Sequence, residues 1–253
     1  MKLNGKTAVI TGGAGIIGAA TAKHFIAEGA RVALVDRDQT QLATVLAELE
    51  ASKAVAITAD VTKGADCARY AHEAHAALGP IDVFFNNAGI EGKFAPLPEF
   101  SEEVFEEVYA VNVRGVFLGL KYVFPVMRDG GSIIITSSTA GLRGSPHFAA
   151  YTMSKHAVIG LMRTAAAEGA PRRIRANTIH PAMVESNMMR RLEMQRVGNR
   201  TLEDIQQEYK SKIPLARYID PSEIAASVAW LASDESRMIT GSQHVVDGGA
   251  MMI

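Results

Sequence analysis

Short apolar runs with little polar alternation recur along the chain, and most are followed by a longer stretch of helical period. Thr7–Thr11, Arg31–Val35, Ala54–Thr58, Ile81–Phe85, Ser132–Thr136, Ile174–Ile179 and His244–Val246 read as strands. The spacing predicts helices from the first glycine turn to about Gly29, over Gln39–Glu50, and from Thr62 to about Leu78. Further helices are expected across Glu102–Val126 with breaks, over Ala150–Glu168, and over Pro221–Ser233. In the first helix Ala22, Phe25, Ile26 and Gly29 lie at i, i+3, i+4 and i+7, a single face to bury. Strands apolar on both sides require helices on both faces of a parallel sheet. No linker-like tract or internal repeat divides the chain. Residues 1–253 are therefore expected to form one doubly wound α/β (Rossmann) domain with a mostly parallel seven-stranded sheet.

Composition acts mainly by exclusion. A chain of 253 residues, 48% of them hydrophobic, can bury a sizeable core, and a net charge of −1 exerts no pull toward nucleic acid or an anionic membrane. No apolar run reaches the ~18 residues of a membrane span. The first strand begins too early for a signal peptide to be expected. Cys67, the single cysteine, rules out an intrachain disulfide and a multi-thiolate metal site. His72 and His75 have helical spacing but no third ligand, so they read as an exposed face. The expectation is a cytoplasmic protein with no metal, acting on a small molecule.

Two patterns carry chemistry. Gly12-Gly13-Ala14-Gly15-Ile16-Ile17-Gly18 joins the first strand to the first helix, where backbone amides can approach a pyrophosphate. Asp36 ends the second strand, eighteen residues after Gly18. A carboxylate there accepts from ribose hydroxyls and repels a 2′-phosphate. Arg37 beside it could greet that phosphate, and Asp36 is given the greater weight, favouring NAD over NADP. Asp60-Val61 follows the third strand where an adenine could lie, and Asn86-Asn87-Ala88-Gly89 leaves the fourth at the sheet's carboxyl edge.

The second pattern is Tyr151-Thr152-Met153-Ser154-Lys155, thirteen residues after Ser138. A tyrosine four residues before a lysine shares its helix face. An ammonium beside a phenol of pKa ~10 favours the phenolate. A serine hydroxyl can then hold a substrate oxygen while the tyrosine moves its proton. Ser137 and Ser138 are both strand-end hydroxyls suited to that task.

Taken in order, Thr11–Gly18, Asn86–Gly89, Asn112, Ser138, Tyr151/Lys155, Pro181 and Val246-Asp247-Gly248-Gly249 make the whole chain resemble a short-chain dehydrogenase/reductase of the ~250-residue branch. Asn87–Lys93 and Asn112–Gly119 are similar to bacterial NAD-dependent cyclic-ketone and secondary-alcohol dehydrogenases of that family. The resemblance implies a catalytic tetrad of Asn112, Ser138, Tyr151 and Lys155 interconverting a secondary alcohol and a ketone by hydride transfer. By it, Ser138 is preferred to Ser137, Lys155 also binds the nicotinamide ribose, and Asn112 holds a water linking Lys155 to solvent. It also implies cofactor contacts from Gly12, Gly15, Ile16, Ile17, Gly18, Asp36, Asp60, Val61, Asn87, Ala88, Gly89, Tyr151, Lys155, Pro181, Val184 and Ser186. Ile16 stands where the branch carries glycine, and Ala182 where it commonly follows proline with glycine. The resulting Gly12-x-x-Gly15-x-x-Gly18 spacing also suits an epimerase or dehydratase that uses NAD transiently. A non-catalytic NAD sensor would have no need of Tyr151 and Lys155 together.

Met183–Ile213 has no clear place in the sheet-covering pattern and reads as a substrate flap over 183–213. Met183, Met188, Met189, Leu192 and Met194 would line an adaptable apolar pocket. Arg190, Arg191, Glu193 and Arg196 would form its wet face, and Arg143, His147 and Phe148 the opposite wall. The expected substrate is a compact, largely apolar alcohol or ketone, a cyclic one included. The apolar residues of Val104–Val126 and Ala150–Gly169 exceed one buried face, and with the resemblance they imply a homotetramer.

Overall fold

The unalternating runs become seven strands: β1 Thr7–Thr11, β2 Arg31–Asp36, β3 Ala54–Thr58, β4 Ile81–Asn86, β5 Met127–Thr136, β6 Arg175–Pro181 and β7 Gln243–Val246. This computed structural model describes residues 1–252. The strands lie in the order β3-β2-β1-β4-β5-β6-β7. Every pairing is parallel, so the sheet is fully rather than mostly parallel. The order reverses between β1 and β4, the topological switch point where ligands of open α/β sheets bind.

Nine helices connect the strands among the described residues: α1 Ile16–Ala27, α2 Gln39–Ala47, α3 Gly64–Leu78, α4 Glu102–Tyr109, α5 Gly115–Val123, α6 Ala149–Gly169, α7 Asn187–Gln195, α8 Leu202–Ser211 and α9 Pro221–Ala232. Ala22, Phe25 and Ile26 of α1, Leu42 of α2, and Ile224 and Val228 of α9 share one buried cluster with Ile10, Leu34, Phe85 and Ile134. Tyr70 and Leu78 of α3, Val116 of α5, and Val158 and Met162 of α6 pack on the other face, against Val9, Phe84 and Ile133. Both faces are therefore covered, as the apolar strands require.

Three boundaries depart from the expected ones. Gly29 lies beyond the end of α1 at φ +93, closing a turn rather than extending the buried face. Strand β5 starts at Met127, although Arg128, Asp129 and Gly130 are exposed, and its register with β4 shifts between Ile81 and Val83. Backbone pairing holds that first part without an apolar pattern to announce it. Between α4 and α5 the chain does not break but passes through a π turn, Ala110–Arg114, in which the Gly115 N–H reaches back to Ala110 O. Such wide turns concentrate at functional sites, and this one carries Asn112.

Candidate active site

The site grows from the carboxyl ends of β1, β4, β5 and β6. At the end of β1 the chain turns at Gly12, with φ +65, and enters α1 after Gly15. A Cβ on Gly18 would fall 2.2 Å from Gly12 O, so only glycine lets helix and loop approach this closely. No side chain caps α1, which leaves its first amides available to an anion. Ile16 opens that helix and is 47% exposed. Asp36 Oδ2 accepts from Ala14 N at 3.1 Å and Oδ1 from Asp38 N at 3.1 Å, fixing the carboxylate beside the loop. These features fit a dinucleotide: an uncapped helix start, a cradle that a Cβ would fill, and an oriented carboxylate where a ribose would lie.

Thr11 joins this loop to the next one. Its hydroxyl accepts from Asn87 N at 2.9 Å and Ala88 N at 3.2 Å and faces Asn86 Oδ1 at 3.3 Å. Asn87 Nδ2 donates to Thr11 O at 3.1 Å, and its Oδ1 accepts from Thr136 Oγ1 at 3.0 Å. Three strand ends are thus tied into one rigid edge, and Thr11 is the residue that sequence reasoning left as a mere loop boundary. Asp60 accepts from Thr62 N at 3.0 Å, and Val61 packs near Gly115 at the outer side of this edge.

The two candidate serines separate by surroundings. Ser137 is buried and donates to Lys155 O at 2.8 Å, anchoring α6 to β5. Ser138 faces Tyr151, where its hydroxyl favours the phenolate. Ser138 Oγ also donates to Pro181 O at 3.4 Å, and its backbone carbonyl lies 2.9 Å from His180 Nδ1. Ser137 is a strut, whereas Ser138 accepts from Ala140 N at 3.1 Å and turns its hydroxyl toward Tyr151.

Tyr151 and Lys155 occupy the first turns of α6. The Lys155 ammonium donates to Thr136 O at 2.9 Å and sits 5.4 Å from the Tyr151 ring centre. A Cβ built on Gly89 would lie 3.3 Å from Asn112 Oδ1 and 3.4 Å from Lys155 Nζ, so these groups converge on one point. The Asn112 side chain is fully engaged: Oδ1 accepts from Ile90 N at 2.8 Å, and Nδ2 donates to Ile90 O at 2.9 Å and Ser154 Oγ at 3.0 Å. Burial pushes the Tyr151 phenol up to about 12 against the pull of Ser138, and the Glu91 charge pushes in the same direction. Burial holds the Lys155 ammonium down to about 8. Lys155 is not among the groups that lower the tyrosine: burial is the largest influence, and the lowering comes from Ser138.

Pro181 ends β6, and Ala182 N bonds Val246 O at 3.1 Å. Val184 bridges to Ile219, and Ser186 caps α7 by accepting from Met189 N at 3.0 Å. The segment expected as a flap contains two helices, α7 and α8. Its methionine lining is partial: Met189 is buried and Met188 half-buried, whereas Met194 is 65% exposed. Its supposed wet face is not uniformly wet. Glu193 is buried, accepting from Tyr218 OH at 2.6 Å and Gln206 Nε2 at 3.0 Å. Arg191 pairs with Glu91, and the Arg196 guanidinium lies 5.4 Å from the Phe94 ring and 5.0 Å from that of Tyr209.

Phe148 stacks on Tyr151 with centroids 4.6 Å apart, and His147, at φ +64, lies 5.1 Å from Phe94. Arg143 does not join this wall; it is exposed and reaches Ala250 O at 3.5 Å. Phe94 and Glu91 belong to the site without having been anticipated. Glu91 lay inside Asn87–Lys93, a stretch read only for its resemblance to other dehydrogenases, and Phe94 carried no periodic signal. His72 and His75 are both exposed on α3, and among the described residues no helix is long and apolar enough to cross a membrane.

Known proteins share this arrangement. Residues 12–251 match the family model described as enoyl-(acyl carrier protein) reductase. Levodione reductase of Leifsonia aquatica is 36% identical over 96% of this chain and 93% of its own. A 2,5-dichloro-2,5-cyclohexadiene-1,4-diol dehydrogenase of Sphingobium indicum is 37% identical over 98% of this chain and 97% of its own. The crystal structure of levodione reductase superposes with a TM-score of 0.93 at 35% identity, covering 99% of this chain and all of that one. NAD+-bound xylitol dehydrogenase does so with a TM-score of 0.93 at 36% identity, covering 98% and 100%. With the glycine loop, the serine and the tyrosine–lysine pair brought to one sheet edge, and these likenesses spanning nearly its full length, the chain belongs to the short-chain dehydrogenase/reductase family of nicotinamide-dependent oxidoreductases.

Proposed function

We propose that this protein interconverts a compact secondary alcohol and its ketone with NAD, using Tyr151 as the acid–base residue. The observation that carries the reading is the meeting of Ser138, Tyr151 and Lys155 beside the glycine loop at the sheet's switch point. The glycine loop and Asp36 would hold the dinucleotide, which would supply the acceptor for the hydride of the alcohol carbon. On the protein side Tyr151 receives the hydroxyl proton as the C–H bond breaks and the C=O bond forms. Ser138 holds the oxygen by hydrogen bonding. Lys155 keeps positive charge at the ring face and reaches toward the ribose position. Asn112 is a strut, its side chain clamping Ile90 to α6.

The Asp36 carboxylate, already oriented by Ala14 N, supports NAD over NADP. The aromatic wall of Phe94, Phe148 and Tyr151 suits an apolar, uncharged ring, and the relatives named for levodione, a dichlorocyclohexadiene diol and xylitol are consistent with a small alcohol or ketone. The four-residue interval from Tyr151 to Lys155 favours carbonyl reduction over enoyl reduction. Exposed Phe105, Tyr109 and Phe117 on α4 and α5 support pairing of these helices with a second copy, in a homotetramer. Steady-state assays with NAD against a panel of neutral cyclic and acyclic secondary alcohols test the reading, with Tyr151→Phe as control. Loss of activity by ~10²–10⁴ in that variant is expected for an acid–base residue. Retention of more than about half the activity would refute the assignment.

A further inference from the structure

Two segments a hundred residues apart in sequence meet at Glu91, whose charge reaches Tyr151. One is the loop after β4. Its Ile90 has both backbone groups held by the Asn112 side chain, which mounts the next residue, Glu91, rigidly; Glu91 is only 6% exposed. The other is α7, fixed at its start by the Ser186 cap. From α7 the Arg191 guanidinium grips the Glu91 carboxylate with both Nε and an NH2 group, the latter at 3.1 Å. One turn along the same face, Gln195 Oε1 accepts from Phe94 N at 2.9 Å, and Arg196 covers the Phe94 ring. Phe94 in turn lies 6.4 Å from Phe148, the ring stacked on Tyr151.

Besides burying Met189, helix α7 is therefore docked on the 90s loop by polar contacts. The two partners of the central pair differ in freedom. The Glu91 side chain is 8% exposed, whereas that of Arg191 is 59% exposed. The pair opens on the Arg191 side, whose exposed guanidinium has room to move, and opening releases this tie between α7 and the loop. Opening leaves a nearly buried carboxylate unpaired beside Tyr151, which favours the docked state. The fork also sets direction, since a guanidinium matches a carboxylate with two parallel bonds and an ammonium does not.

We propose that the Glu91–Arg191 pair is the latch that docks α7 over the alcohol site, with Arg191 a positioning residue for substrate that leaves NAD binding alone. The proposal rests on Tyr151 marking the site of proton transfer. Docking also brings a positive charge to Glu91, whose negative field opposes ionisation of the tyrosine, so closure and base formation act in the same direction.

The test compares Glu91→Gln, Arg191→Met and the double variant, using NAD and a secondary alcohol. Each single change should raise KM roughly five- to fiftyfold, with kcat moving less, and the double variant should resemble the worse single one, the pattern of a coupled pair. Calorimetric NAD affinity should stay within about twofold of the parent, since sites without shared contacts are nearly independent. Trypsin cleavage after Arg190 or Arg196 should quicken in all three, and Arg191→Lys should recover part of the loss. Because Arg191 is largely exposed, its variants keep the test valid even where Glu91→Gln disturbs folding. Additive effects on KM, or an unchanged KM with undiminished trypsin resistance, would overturn the latch. Proteolysis reads docking without turnover, so an active Tyr151→Phe protein would sink the base assignment while the latch is still judged.

Discussion

The Lys155 ammonium lies over the face of the Tyr151 ring, 5.4 Å from its centre, while it donates to Thr136 O. The i, i+4 spacing on α6 delivers both side chains to the cleft, but the cation meets the π face rather than the phenol oxygen. The oxygen is left to Ser138 and a substrate. Burial then dominates both groups, in opposite senses: the phenol rises to about 12 and the ammonium falls to about 8.

From this follows a pH signature of activity. Oxidation of the alcohol needs the phenolate, and reduction of the ketone needs the phenol. With NAD saturating, kcat/KM for oxidation should climb by about tenfold per pH unit below the apparent pKa of the Tyr151–Lys155 pair. Reduction should stay level over that range and fall by about tenfold per pH unit above the same pKa. Rate profiles measured in both directions check this, and parallel profiles would contradict a shared acid–base group.

Stability should respond to the same two groups. The folded Lys155 has a pKa below its usual 10.5, so its burial penalty is fully present below about 8 and is relieved as pH rises to 10.5. Tyr151 is raised above its usual 10.0, so its contribution is intact below 10 and is lost as pH rises toward about 12. Lys155→Met should remove the first dependence, flattening the gain in denaturation midpoint between pH 8 and 10.5. An undiminished gain would place its origin elsewhere.

Coenzyme choice should turn on Asp36. Its carboxylate is fixed by two backbone donors beside the loop, and would lie against a 2′-phosphate. Asp36→Ala should narrow the preference for NAD over NADP by at least about tenfold, as expected for losing one unscreened charge contact. If the unaltered protein prefers NADP in kcat/KM, Arg37 governs the choice instead.

Much of this was legible in the residues because it depends on local chemistry. Unalternating apolar runs located all seven strands, and the Gly12–Gly18 spacing, Asp36 and the Tyr151/Lys155 interval picked out residues that the fold gathers at the carboxyl edge of the sheet. What escaped depends on contacts between distant segments. Glu91 and Arg191 are each unremarkable surface residues by composition, and only the fold brings them together. Glu193 carries a charge on a helix that looks amphipathic, yet Tyr218 and Gln206 bury it by satisfying its oxygens. Ser137 and Ser138 are neighbours of equal chemistry, told apart only when α6 packs and takes one of them. The start of β5 is a matter of backbone pairing, which leaves no side-chain signature.

His180 offers the last prediction. It is fully buried on β6, between Ser138 O at 2.9 Å from Nδ1 and Thr178 Oγ1 at 2.7 Å from Nε2. A carbonyl can only accept, so Nδ1 carries the proton and Nε2 accepts from the threonine; the neutral ring satisfies both neighbours. Burial keeps its pKa below the usual 6.5, so the support it gives is complete above pH 6.5 and is lost as pH falls through the folded value. His180→Leu removes one of the two donors to Ser138 O, Gly141 N at 2.9 Å being the other, and should cost about 0.5–1.5 kcal/mol of stability, the net worth of one hydrogen bond. Ser138 would also lose one side of its clamp, lowering kcat more than NAD affinity. His180→Asn keeps a short donor and should recover part of the rate. Thermal denaturation together with kcat, KM and NAD titration of both variants decides the matter: equal losses in the two would show that His180 only fills space.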